Sequence, residues 1–214
     1  MRYNFLPSFV RRKGRITKLQ EKNLNFLSDY LLVDSSILSN NLSFDKIALE
    51  IGFGNGEDFF SFAKERNDTL FLASEVYRSG IGNLIGKIIK HSLENILIYE
   101  GDIRDLIFEE NDFKFDEIYI ICPDPWPKDR HHKRRLLNKE FFERIQLCMN
   151  PKSYIFLSTD WKNYAEKIQD VLRDFEDKFS VETLNQIPRR ELSKFQKKGI
   201  EEGRDIYNFK LSLI

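Results

Sequence analysis

Lys46-Ile-Ala-Leu-Glu-Ile-Gly-Phe-Gly-Asn-Gly56 is the stretch from which the fold is read. Its first six residues, mostly apolar, predict a strand, and glycines at 52, 54 and 56 predict a sharp turn directly after it. A helix is expected from about Glu57 to Arg66. Working outward, Thr69 to Ser74 (ending at Glu75), Asn95 to Glu100 (closed by Gly101-Asp102), Ile118 to Cys122 and Ser153 to Ser158 read as further strands. Helical periodicity lies between them at residues 78–91, 136–149 and 164–175, and before them at 20–32. Phe179 to Leu184 and Ile206 to Leu213 read as late strands. Strands alternating with helices predict an α/β fold: a central, mostly parallel sheet with helices on both faces. No internal repeat or low-complexity segment interrupts the pattern. A single domain over residues 23–214 is therefore expected, preceded by a basic arm over residues 1–22.

The turn has the spacing E-x-G-x-G-x-G, from Glu50 to Gly56. A dinucleotide-binding turn needs G-x-G-x-x-G, with the last glycine packing helix against strand. Here the third glycine comes one residue early, and Glu57 takes that last place. Glu50 and Glu57 would repel a pyrophosphate, whereas a cationic or zwitterionic ligand suits them. This spacing is that of enzymes using S-adenosylmethionine (SAM), which carries a sulfonium and an amino group. Three more acids fall at strand ends. Glu75 is placed to accept from ribose hydroxyls, Asp102 from an exocyclic adenine amine, and Asp124 follows the fourth strand. In an open α/β sheet this edge is where ligands bind.

The fourth strand runs into Cys122-Pro-Asp-Pro-Trp-Pro-Lys-Asp-Arg-His-His-Lys-Arg-Arg135. Pro123, Pro125 and Pro127 constrain the backbone around Asp124 and Trp126. Lys128, Arg130, Lys133, Arg134 and Arg135 then face a single acid, Asp129. A rigid carboxylate, a large aromatic and a cationic run suit a polyanion that carries a reactive ring. His131 and His132 have no third ligand at a suitable spacing, so no metal is expected. Cys122 reads as a strand-end cysteine in preference to a methyl-accepting thiol. Trp126 either stacks on a base or packs, and Trp161 beside Asp160 reads as core at a helix start. Arg189, Arg190, Lys194, Lys197 and Lys198 form either a solvated face or an RNA-facing loop.

The 214 residues balance 34 bases against 34 acids, so no global field draws in nucleic acid. The local distribution differs: from Arg2 to Lys22 there are seven bases and one acid. That stretch reads either as a solvated tail or as a phosphate-binding arm. Two cysteines, Cys122 and Cys148, make neither a disulfide framework nor a C-x-x-C metal site, which points to a reducing cytoplasm. No apolar run approaches membrane length.

Phe9-Val-Arg-Arg-Lys-Gly-Arg-Ile-Thr-Lys18, Leu49-Glu-Ile-Gly-Phe-Gly-Asn-Gly56 and Pro123-Asp-Pro-Trp-Pro-Lys-Asp-Arg-His-His-Lys-Arg-Arg135 together resemble the tRNA (guanine-N7)-methyltransferase family. The resemblance covers nearly the whole chain. It implies a Rossmann-like class I SAM-dependent methyltransferase fold and methylation of N7 of the variable-loop guanine, position 46 of tRNA. By matching position it implies that Glu50, Gly52, Gly54, Gly56, Glu75, Asp102 and Asp124 hold SAM, with Asp124 also catalytic. Lys128 and Asp160 would contact substrate, and Arg130, His131, His132, Lys133, Arg134 and Arg135 would engage RNA. The family's late T-x-x-E substrate motif stands here as Ser193-Lys-Phe-Gln196, which keeps a hydroxyl and drops a charge. A cytoplasmic monomer without an obligate protein partner is expected. Two other readings compete with this one. A SAM-fold RNA-binding module without catalysis has Gln196 as its support; an NAD-dependent oxidoreductase fails on the glycine spacing.

Overall fold

The structure, a computed structural model, describes residues 5–10, 15–39, 43–109, 112–189 and 191–214. Arg11, Arg12 and Lys13 of the basic arm, and Arg190, lie outside the described residues. The strands are β1 (Lys46–Ile51), β2 (Thr69–Glu75), β3 (Ile96–Glu100), β4 (Phe115–Ile121), β5 (Met149–Thr159), β6 (Phe179–Leu184) and β7 (Tyr207–Leu213). The helices are α1 (Lys18–Leu24), α2 (Ser36–Ser39), α3 (Glu57–Lys64), α4 (Arg78–His91), α5 (Arg104–Ile107), α6 (Lys139–Ile145), α7 (Lys162–Arg173) and α8 (Lys194–Glu201).

The strands form one sheet in the order β3-β2-β1-β4-β5-β7-β6. β1 to β5 pair in parallel, while β7 runs antiparallel between β5 and β6. The chain thus builds outward from β1 to β3, then returns to lay β4 on the other side of β1. That reversal opens a crevice beyond the carboxyl ends of β1 and β4. Alternation along β1 assigns its side chains to two cores. Leu49 and Ile51 pack with Phe141, Phe142 and Ile145 of α6 and Tyr164 and Ile168 of α7. Ala48 packs on the opposite face with Phe59 of α3 and Ile81, Leu84 and Ile85 of α4.

Several boundaries differ from the periodicity, each for a local reason. The helix expected over 20–32 is broken. A capping box between Thr17 and Gln20 starts α1 at Lys18, and the chain then leaves the helix to cover the edge of β3. There Leu32 N donates to Ile98 O at 2.9 Å and Ile98 N to Tyr30 O at 2.7 Å. The expected boundary between residues 22 and 23 therefore falls inside α1. The helix expected over 136–149 shortens to α6 because Asn138 caps it, its side chain accepting from Phe141 N at 3.0 Å. β4 stops at Ile121, since Cys122 turns to φ +50°. Helix α8 has no counterpart among the expected elements, although Ser193-x-x-Gln196 is a capping-box signature.

At the opposite end of the sheet, Glu117 of β4 is buried and ion-paired. Arg66 grips it with both terminal nitrogens, and Tyr119 Oη donates to it at 2.8 Å. Burial alone would raise the Glu117 pKa; the bonds from Arg66, Tyr119 and Tyr154 win and bring it down to about 2. A depressed carboxylate contributes stability that is present above its unfolded value near 4.5 and lost as pH falls toward 2. The corresponding contribution at neutral pH is on the order of 3 kcal/mol. Glu117→Gln should therefore flatten the dependence of stability on pH across this acidic window. Urea unfolding of both proteins at neutral and acidic pH measures it.

Candidate active site

The glycine turn depends on backbone that side-chain-bearing residues rarely adopt. Gly52, Gly54 and Gly56 have φ of +77°, +61° and +72°. Nothing lies within 4 Å of where a Cβ would stand at Gly52, so a ligand can approach the main chain there. The turn is braced from behind by α4, whose Gly80 sits against the carbonyl of Gly54. A methyl group at Gly80 would run into that oxygen. Gly80→Ala is thus expected to displace the turn and weaken donor binding by at least about tenfold, equivalent to roughly 1.4 kcal/mol, with a lowered melting temperature. Titration of the variant with SAM and a thermal melt test both parts.

The four strand-end acids are held in four different ways. Glu75 accepts from Gly54 N at 2.7 Å, Val76 N at 2.7 Å and Tyr77 N at 3.0 Å, which ties the end of β2 to the turn. Its pKa is raised, by burial first and by Asp124 further, against the pull of those amides. Asp102 is gripped by Arg104, which donates from Nε at 2.9 Å and Nη2 at 2.6 Å. Arg104 also donates to Leu6 O at 3.0 Å and lies over the Phe5 ring, so the arm is fastened beside Asp102. Glu50 is buried and ion-paired with Arg189; burial raises its pKa in spite of that cation. Asp124 is exposed, and its influence on Glu75 places it at the same crevice.

The loop that carries Asp124 is over-determined. Cys122 N continues the ladder to Ser158 O at 2.8 Å, and both Cys122 and Trp126 have left-handed backbone, φ +50° and +45°. Strained positions of this kind persist where surrounding contacts enforce them and concentrate at functional sites. Here Trp126 Nε1 donates to Ser8 O at 2.9 Å, with Arg134 over the indole and His131 edge-on to it. Trp126 is therefore packed between the arm and the basic segment. The Cys122 thiol, pushed up to about 12 chiefly by burial, stays protonated at neutral pH and is no nucleophile.

Downstream, Asp129–Arg134 wind into a 3-10 segment. Lys128, Arg130 and Lys133 are exposed, while His131, His132 and Arg134 are half-buried. Arg135 does not belong with them. It is buried, donating to Pro125 O at 2.9 Å and Asn163 Oδ1 at 2.8 Å, with its guanidinium over Tyr164. These bonds brace the loop that carries Asp124, and they set Arg135 behind the exposed cations of the segment. No cluster of metal-binding side chains occurs among the described residues.

The C-terminal part brings Asp160, Ser193 and Gln196 to the same edge but engages their polar groups. Asp160 Oδ2 accepts from Arg204 Nε and Nη2, each at 2.9 Å. Ser193 and Gln196 cap α8 reciprocally, and Gln196 Nε2 donates to Ser158 Oγ at 2.9 Å. Both are buried. Lys194, Lys197 and Lys198 stay on the outer face of α8. Trp161, at the start of α7, is half-buried against the core as expected. Asp58 and Arg104 are absent from the residues expected at the site; for Arg104 the signal is its place two residues after Asp102.

This strand order, with a glycine turn after β1 and acids along the neighbouring strand ends, defines the class I methyltransferase fold. Residues 45–209 match the family model described as "Putative methyltransferase". The chain is 36% identical over 211 residues to the tRNA (guanine-N(7)-)-methyltransferase of Nitrosococcus oceani, covering 96% of this chain and 89% of that one. It belongs to the tRNA (guanine-N7)-methyltransferase family. Among solved structures, the precorrin-6y C5,15-methyltransferase of Geobacter metallireducens shares the fold at 16% identity, with a TM-score of 0.56 over 95% of this chain and 92% of that one. A SAM-dependent O-methyltransferase of Thermotoga maritima does so at 12% identity and a TM-score of 0.55, over 95% and 68%.

Proposed function

We propose that this protein transfers the methyl group of SAM to N7 of guanine in tRNA, at variable-loop position 46, and acts in the cytoplasm as a monomer. The observation that carries the reading is the meeting of two unlike features at one crevice. The glycine turn with Glu50 and Glu75 lies at the ends of β1 and β2, and exposed Asp124 leads into the cationic segment after β4.

The residues fit such a donor. Glu50, Glu75 and Asp102 are acceptors suited to its amino, ribose and adenine groups, and the open backbone at Gly52 admits a close approach. When bound, SAM supplies a methyl group already activated on a sulfonium. Guanine N7 has an in-plane lone pair and is unprotonated at neutral pH, so no strong base is required of the protein. What the chain contributes is placement, for which effective molarities reach about 10⁵–10⁸ M in well-oriented model systems. Asp124 holds the guanine and offsets the positive charge that develops on the ring. Lys128, Arg130 and Lys133 meet phosphates from the solvent side, whereas Asp160, Ser193 and Gln196 shape the substrate edge through α8.

Methyl-labelled SAM incubated with unmodified tRNA, followed by mapping of the label, tests the assignment. Label at N7 of G46 is expected, and label at another base would overturn it. SAM binding without transfer would favour the non-catalytic module. The one feature that favours such a module, Gln196, is accounted for by its capping of α8 and its bond to Ser158.

A further inference from the structure

Alternation along β1 turns Glu50 to the side of α3, where it is 1% exposed. Asp58 in the first turn of α3 reaches the same place, and Glu75 of β2 adds a third acid to the field there. The cation that meets them comes from far along the chain. Arg189, in the segment between β6 and α8, donates from Nη2 to Glu50 Oε2 and from Nη1 to Asp58 Oδ2 at 3.1 Å. Its guanidinium lies over the rings of Phe62 and Tyr119, 4.8 and 5.0 Å from their centres, where the two rings meet edge to face. Beside it Ile187 is buried against Tyr119, Ile121 and Phe156. A few residues on, Phe195 of α8 lies 3.9 Å from where a Cβ of Gly54 would stand. Arg189 thus meets the buried acid, and Phe195 lies beside the glycine turn.

We infer that Arg189 is a positioning residue for the methyl donor: it holds and aims the Glu50 carboxylate, and by the same contact helps seat α8 beside the glycine turn. The inference rests on the reading of Glu50 as a donor-binding acid. Burial, with Asp58 and Glu75 nearby, raises the Glu50 pKa to about 7 even against the pull of Arg189; without that cation it would hold its proton to higher pH, and a neutral carboxyl receives a cationic donor poorly. A guanidinium is always charged and presents a planar fork that can bridge two acids at once, which an ammonium does less well. Among the described residues, the groups acting on this pair are Asp58 and Phe62 of α3, Glu75 of β2, Tyr119 of β4 and Lys197 of α8, the last through Asp58.

The test is SAM affinity of the full-length protein measured from about pH 6 to about pH 9 for the parent, Arg189→Met, Arg189→Lys and Glu50→Gln. Taking the ratio to the parent at each pH cancels titration of the donor itself. Arg189→Met should bind about tenfold or more weakly at neutral pH and recover toward the parent as pH rises, because Glu50 then ionises late. Arg189→Lys, which keeps the charge but not the fork, should lose less affinity than Arg189→Met at neutral pH and show a weaker dependence of the ratio on pH. With tRNA saturating, the loss in Arg189→Met should fall on KM for SAM more than on kcat. A loss independent of pH would reduce Arg189 to a fold-holding residue, and no loss would remove its role altogether; either overturns the inference. Unchanged binding by Glu50→Gln would instead sink the reading of Glu50, whatever Arg189→Met shows. Circular dichroism checks folding, and if the methionine variant does not fold, Arg189→Gln is measured in the same way with the same outcomes.

Discussion

Asp124→Asn is expected to cut the rate of methyl transfer by about 10²–10³-fold, the range typical for loss of one preorganised charge-stabilising group. The substitution keeps shape and removes charge, so it tests the electrostatic role directly. Asp124 is exposed on a loop whose backbone is held by Pro123, Pro125, the Cys122–Ser158 bond and Arg135. The melting temperature should therefore change little. Single-turnover kinetics with bound SAM separate this step from product release, and the fall should lie in kcat. Near-normal turnover would remove Asp124 from the mechanism. A fall confined to KM for SAM would move it to the donor site alone.

Removing residues 1–14 is expected to weaken tRNA binding by about 10-fold to 100-fold at moderate salt and to lower the salt slope by roughly 3, since four cations are lost, Arg2, Arg11, Arg12 and Lys13. The structure sets the cut. Thr17 and Gln20 cap α1, and Asn23 Nδ2 donates to Gly82 O at 2.9 Å, so a longer deletion would damage the fold. Within the deleted part, the carbonyls of Leu6, Pro7 and Ser8 accept from Arg104, Arg134 and Trp126. These bonds pin the start of the arm between Asp102 and the basic segment, on the path a phosphate backbone bound there would follow. SAM affinity should fall less than tRNA affinity. Equal tRNA affinity and an unchanged salt slope would show that the arm makes no contact with RNA.

Much of the site is legible in the sequence because its signals are local. Short strand-forming runs place β1, β2 and β6 to within a residue, and closely spaced glycines with positive φ form the turn that their spacing predicts. The acids at 50, 75, 102 and 124 follow from where the strands end. The capping box at Ser193 and Gln196 is just as local, but its pattern coincides with a substrate motif, and one spacing can serve two physical purposes.

A linear charge count does not reveal which way a cation faces. Arg134 and Arg135 are neighbours of identical type, yet one lies over Trp126 at the surface and the other is buried beside Tyr164. Arg189 reads as part of a basic cluster on a face or loop, and the fold turns it inward to Glu50, 139 residues away in sequence. By itself, then, the sequence determined the α/β fold, the glycine turn and the row of acids, because short apolar runs and left-handed backbone are written in adjacent residues. Only the tertiary structure decided which charges are spent inside the protein and which remain for a ligand. Burial of a charge depends on a partner from a distant segment, and no local pattern encodes that partner.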